Sequence, residues 1–79
     1  MQLNILAFGI AKDIIGNRST TIQINECSVG SLMQELERRY PELKRLASYL
    51  IAVNQEYAEG DVELRDKDEI AIIPPVSGG

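Results

Sequence analysis

The sequence predicts a two-layer α+β domain with a mixed sheet and one main helix. Three observations predict it. QLNILAF near the start and EIAII near the end are short runs apolar on both faces; STTIQIN alternates with a period of two; and Val29, Leu32, Met33, Leu36 and Tyr40 form one stripe at helical spacing. A helix with a single apolar stripe and a sheet with one apolar face can hide those surfaces only against each other, which gives two layers. Seventy-nine residues make one domain. A chain of this size buries only about 60% of its unfolded surface and is stable by about 4 to 12 kcal/mol.

Taken in order, residues 2 to 8 form a strand with Leu3, Ile5 and Ala7 on one face and Leu6 and Phe8 on the other. IAKDIIGN is a loop or short helical turn closed by Gly16 and Asn17. Ser19 to Asn25 is a half-buried strand, with Thr20, Ile22 and Ile24 inward, that pairs with the first as a hairpin. Ser28 caps the helix, and Pro41 ends it near Tyr40, because the residue before a proline is pushed out of helical geometry. PELKRLAS makes a turn with Leu43 and Leu46 folded under, and Tyr49 to about Asn54 is a strand followed by a tight turn. A short strand is expected near Val62 and Leu64, then a solvated charged turn from Arg65 to Asp68, and EIAII is the last strand, stopped by Pro74 and Pro75. This order fits a β-grasp arrangement: a helix crossing a sheet whose first and last strands run parallel in its middle.

Composition narrows the function. The chain is 44% apolar and 25% charged, with a net charge of -4 and no cluster of Lys or Arg interleaved with aromatics, so neither a nucleic-acid nor a membrane partner is expected. A basic protein surface suits it better. Histidine is absent and Cys27 is the only cysteine, which excludes an internal disulfide, a zinc constellation and a Ser-His or Cys-His pair. Cys27 is expected to be a small buried or half-buried hydrophobe. Gln2 and Asn4 interrupt the apolar opening and no basic segment precedes it, so a cytoplasmic location is expected. Any chemistry should be shared with a partner.

The end of the chain, IPPVSGG, offers that chemistry. Residues 1–75 are expected to form the folded domain and 76–79 a flexible diglycine tail. Gly78 and Gly79 have no Cβ to hinder entry into a narrow channel, Pro74 and Pro75 stiffen the exit, and Val76 to Gly79 reach about 13 Å. A terminal carboxylate is a poor electrophile until it is activated as an acyl adenylate, after which sulfur or amine nucleophiles can take the acyl group.

AVNQEYAEGDVELRDKDEIAIIPPVSGG, Ala52 to Gly79, resembles the C-terminal part of the small subunit of molybdopterin synthase, a family with a ubiquitin-like β-grasp fold. DKDEIAIIPPVSGG is its most specific phrase. VGSLMQELERRYP and LAFGIAKDIIG match more loosely, and Lys12 and Asp13 stand where many relatives have an Arg-Glu pair. The resemblance implies a non-catalytic sulfur carrier within a sulfurtransferase complex. Gly79 would carry the acyl adenylate and then the thiocarboxylate, with Val76, Ser77 and Gly78 inserting beside it. It implies no permanently bound cofactor: ATP is consumed by a nucleotide-binding adenylyltransferase related to the ubiquitin-activating class. A sulfurtransferase or cysteine desulfurase supplies sulfur. The large subunit, in a heterotetramer of two small and two large subunits, holds cyclic pyranopterin monophosphate, which receives sulfur to become molybdopterin.

Leu6, Phe8, Ile73, Pro74 and Pro75 are the expected partner-binding residues, being apolar groups near the tail root that the small core does not consume. Three other functions are open to such a chain: a sulfur carrier for thiamine or tRNA thiolation, a ubiquitin-like modifier joined to lysines through Gly79, and a binding module with an incidental tail.

Overall fold

The computed structural model describes residues 1–46 and 49–74. Its elements are β1 (Gln2–Ala7), α1 (Gly9–Ile15), β2 (Ser19–Gln23), α2 (Val29–Arg39), a 3-10 turn (Pro41–Arg45), β3 (Leu50–Val53), β4 (Glu56–Ala58) and β5 (Ile70–Ile73). The five strands form one sheet in the order β2-β1-β5-β3-β4. β1 and β5 run parallel, pairing Ile5 with Ile70 and Ala7 with Ile72; the other pairs are antiparallel. The two strands that read as apolar on both faces therefore sit side by side inside the sheet, as expected.

Alternation decides what each strand buries. Leu3, Ile5 and Ala7 of β1, Ile22 of β2, Ile51 of β3 and Ile70 and Ile72 of β5 point to the helix side and are buried. Val29, Leu32 and Leu36 of α2 meet them, with Met33 and Tyr40 packed at the margin. Each of the large aliphatics contributes about 1.5 to 3 kcal/mol relative to exposure. The Ser28 Oγ accepts from the Ser31 N-H at 3.1 Å, so the predicted cap is in place. From the other end of the helix, Glu37 accepts from the buried Tyr49 hydroxyl at 2.5 Å. Burial first, and the Glu37 carboxylate second, push the Tyr49 phenol well above its ordinary pKa.

The structure decides one alternative and corrects three expectations. IAKDIIGN, read as a loop or a short helical turn, is helical: it makes up most of α1, a seven-residue helix that buries Ala11 and Ile15, one turn apart, and ends at Gly16 with φ 93°. The short strand is not at Val62 and Leu64 but at Glu56–Ala58, because Asn54 and Gln55 both take positive φ and make a two-residue hairpin turn. Around Val62 only an isolated bridge between Ser28 and Glu63 forms, although Leu64 is buried. The charged turn is more than solvated: Asp68 accepts from Asn54 Nδ2 and from the Arg65 N-H, each at 2.9 Å. Finally, Cys27 is exposed. It lies between β2 and α2, where its backbone carbonyl, not its thiol, faces inward to accept from the Leu64 N-H at 2.7 Å. Among the described residues, no helix is long and apolar enough to cross a membrane.

Candidate functional site: the tail root and the open face of the sheet

β5 is the middle strand of the five, hydrogen-bonded on both sides, and it leads directly into Pro74. Pro74 sits against the start of α1. A Cβ added to Gly9 would lie 3.1 Å from the Pro74 Cγ, and Gly9 itself has φ +57°, so glycine meets both a backbone and a steric requirement here. The root of the tail is thus held between the central strand and the β1–α1 corner. Pro75, Val76, Ser77, Gly78 and Gly79, to which tail exit, insertion and acyl transfer are assigned from sequence, lie outside the described residues.

The face of the sheet opposite α2 is open. The register aligns Leu6, Ala71, Ala52 and Tyr57 in one row across four strands, and pairs Ile73 with Leu50 in the next. Phe8 follows β1 in extended geometry and is 50% exposed, while Leu50 and Tyr57 are 48% and 71% exposed. Leu6, Ile73 and Pro74 are half-buried. The predicted Leu6, Phe8, Ile73 and Pro74 are therefore brought together on or beside one apolar face. Leu50 and Tyr57 were missed. For Leu50 a signal existed in YLIAV, since setting Ile51 and Val53 inward leaves Leu50 outward. For Tyr57 no signal existed without knowing that β4 pairs with β3.

Charge is confined to the margin of this face. A hollow of about 420 Å³ beside Phe8 is lined by Leu6, Ala7 and Gly9 and by two cations, Lys12 and Arg18. Asp13, one residue on, faces instead a cleft between α1 and the 3-10 turn with Ile10, Ile14 and Glu42. The Lys12-Asp13 pair is thus split between two surfaces. Among the described residues no group of three metal-ligating side chains is present. What this surface can do is dock an apolar partner and hold the start of a tail at a fixed exit.

A five-stranded mixed sheet, parallel at its centre and crossed by one main helix, is the ubiquitin-like β-grasp fold. A solved structure described as putative molybdopterin converting factor, subunit 1, from Pyrococcus furiosus superposes with a TM-score of 0.86 at 26% identity, over 96% of this chain and 99% of that one. Residues 5–79 match the model of the ThiS family, and the chain belongs to that family. It is 42% identical to the molybdopterin synthase sulfur carrier subunit of Dictyostelium discoideum, over 99% of this chain and 96% of that protein. It also resembles, at TM-score 0.69 and 26% identity over the whole of both chains, a chain from a protein-protein complex of subunits 1 and 2 of molybdopterin-converting factor from Helicobacter pylori.

Proposed function

We propose that this protein is the sulfur carrier subunit of molybdopterin synthase, and that its partner is the large subunit of that enzyme. The observation that carries the proposal is a family match running through Gly79 on a chain whose central strand leads the tail out beside an apolar face. A carrier needs a fixed root, a thin tip and a docking surface. It needs no acid, base or metal of its own, and the absence of histidine and the lone cysteine suit that role.

In this reading the Gly79 carboxylate attacks ATP in the activating enzyme, forming an acyl adenylate with loss of pyrophosphate. A persulfide on a sulfurtransferase or cysteine desulfurase then displaces AMP to give an acyl disulfide, and a thiol cleaves that bond, leaving the thiocarboxylate on Gly79 and a disulfide on the donor. Leu6, Phe8, Leu50, Tyr57 and Ile73 dock on the large subunit, in a heterotetramer of two small and two large subunits. Pro74 and Pro75 aim Val76, Ser77, Gly78 and Gly79 into its pocket, where sulfur passes to cyclic pyranopterin monophosphate. The pocket excludes water and spares the thiocarboxylate from hydrolysis. In this reading the protein works in the cytoplasm.

Reconstitution with large subunit, precursor, ATP, activating enzyme and a sulfur source tests the proposal. Intact mass should rise by one sulfur-for-oxygen exchange, and molybdopterin should form. Deleting Gly78 and Gly79 should abolish both. Full activity of the truncated chain would overturn the carrier role, and branched Gly-Gly on lysines of other proteins would point instead to a modifier.

A further inference from the structure

The sheet has two edges, and they differ. β4 is three residues long, begins with Glu56 and is followed by Glu59, features that discourage pairing with another chain. β2 is five residues long, and Ser19 to Asn25 carries neither charge nor proline. Its backbone faces can be assigned. Met1 and Ile24 exchange both of their backbone hydrogen bonds, at 2.9 Å each, and the Ala7 N-H donates to the Arg18 carbonyl at 2.7 Å. Antiparallel ladders alternate, so Thr20 and Ile22 bond to β1, while the N-H and C=O groups of Ser19, Thr21 and Gln23 point out of the sheet. All three residues are exposed. Helix α2 does not roof this edge: a groove of about 330 Å³, lined by Gln23, Glu26, Gln34 and Arg38 among others, opens beside it.

We propose that the β2 edge pairs with the β2 edge of a second copy of this chain. Antiparallel pairing centred on Thr21 is its own two-fold: Thr21 faces Thr21 of the other copy, and Ser19 faces Gln23. Every outward N-H and C=O of these three residues finds a partner. No like charges face each other across the axis, and threonine facing threonine is a favourable cross-strand pair. In the same register Arg18 of one copy faces Ile24 of the other, so no like charges meet at either end of the paired strands. The partner is a second copy because the strand is self-complementary in hydrogen bonding about one residue and brings no like charges together.

The two-fold lies perpendicular to the sheet. Both α2 helices stay on one side, both open faces stay on the other, and the two Pro74 roots leave from opposite ends of a ten-stranded sheet. Dimerisation therefore leaves the tail and its docking face uncovered. A single strand pair buries less surface than a standard interface, so the association is of the weak, concentration-dependent kind.

Sedimentation velocity of the isolated protein, over about three decades of concentration up to about 1 mM, tests this. The weight-average mass should climb from monomer toward dimer. Thr21→Pro removes an outward N-H and the exposed hydroxyl bond from Thr21 to Asn4 Oδ1, but no backbone bond to β1, so it should leave the β1–β2 ladder in place with little change in melting and hold the protein monomeric. Thr21→Lys and Thr21→Glu place like charges across the axis and should each be monomeric alone, and an equimolar mixture should dimerise. Monomer mass at every wild-type concentration overturns the proposal. So does a dimer that persists in Thr21→Pro, or a Lys-Glu mixture that stays monomeric.

Discussion

Replacing Gly9 by alanine separates two things that the β1–α1 corner does. Gly9 has φ +57° and Gly16 has φ +93°, so a side chain at either position strains the backbone. Left-handed geometry costs an L-residue about 1 to 2 kcal/mol, and in a domain of this size each kcal/mol lowers the melting temperature by about 4 to 8 °C. Gly9→Ala and Gly16→Ala should therefore both melt lower, by about 4 to 16 °C. Only one of them touches the tail. At Gly16 a Cβ meets nothing within 4 Å, whereas at Gly9 it lies 3.1 Å from the Pro74 Cγ, and the proline ring must give by a few tenths of an ångström. Carried along a tail of about 13 Å, that tilt moves the tip by about 1 Å, a misplacement large enough to slow a positioned reaction by about tenfold or more. Molybdopterin formation, measured with saturating large subunit at a temperature where both variants are folded, should fall about tenfold for Gly9→Ala and stay near wild type for Gly16→Ala. Equal rates for the two variants would refute the idea that contact with Gly9 aims the tail.

Phe8→Asp should weaken large-subunit binding by about thirtyfold, the loss of about 2 kcal/mol typical of an aromatic anchor, and calorimetric titration reads it directly. Because Phe8 is already half exposed, its melting temperature should change little; unfolding instead would place Phe8 in the core. Gln55→Gly relieves a non-glycine residue at φ 71° in the β3–β4 turn and should raise stability by about 0.5 kcal/mol, net of the greater freedom of glycine in the unfolded chain; a lower melting temperature would contradict the turn assignment. The Asp68 carboxyl is held below its ordinary pKa, first by the Asn54 amide and then by the Arg65 N-H. Its stabilisation is therefore present above the unfolded value and is lost as pH falls through the lower folded value. In Asp68→Asn the acid limb below about pH 4 should be flatter by a few tenths of a kcal/mol, given the exposure of the group; parallel limbs in acid titrations of the two proteins would contradict this.

Most of the fold was legible because two periodicities carried it. The stripe from Val29 to Tyr40 and the alternation through Ile22 and Ile24 each have one physical solution, and the doubly apolar β1 and β5 could only lie inside the sheet. What could not be read depended on partners distant in sequence. Asn54-Gln55 lacks the glycine that marks a hairpin turn, so β4 was assigned to the apolar Val62 and Leu64 instead of Glu56–Ala58. Cys27 resembles a core residue in composition, yet the backbone bond to Leu64 turns its side chain outward. At the site, Leu6 and Phe8 followed from strand alternation, and Ile73 from its place at the root of the tail. Leu50 and Tyr57 needed the β3–β4 register, and the contact between Gly9 and Pro74 needed the three-dimensional corner.

Rooting the tail in β5 also fixes how this end of the chain can open. Chain ends in most domains fray at little cost because their last element bonds on one side only. Here the strand before Pro74 is laddered to β1 on one side and to β3 on the other, with Ile70 and Ile72 fully buried. Freeing it means dismantling the middle of the sheet, so amide exchange at Ile70 to Ile73 should proceed only through global unfolding. In the proposed role, force applied to the tail by a partner enzyme would be spread over two ladders at once. A carrier so built would pass between partners with its exit point unmoved.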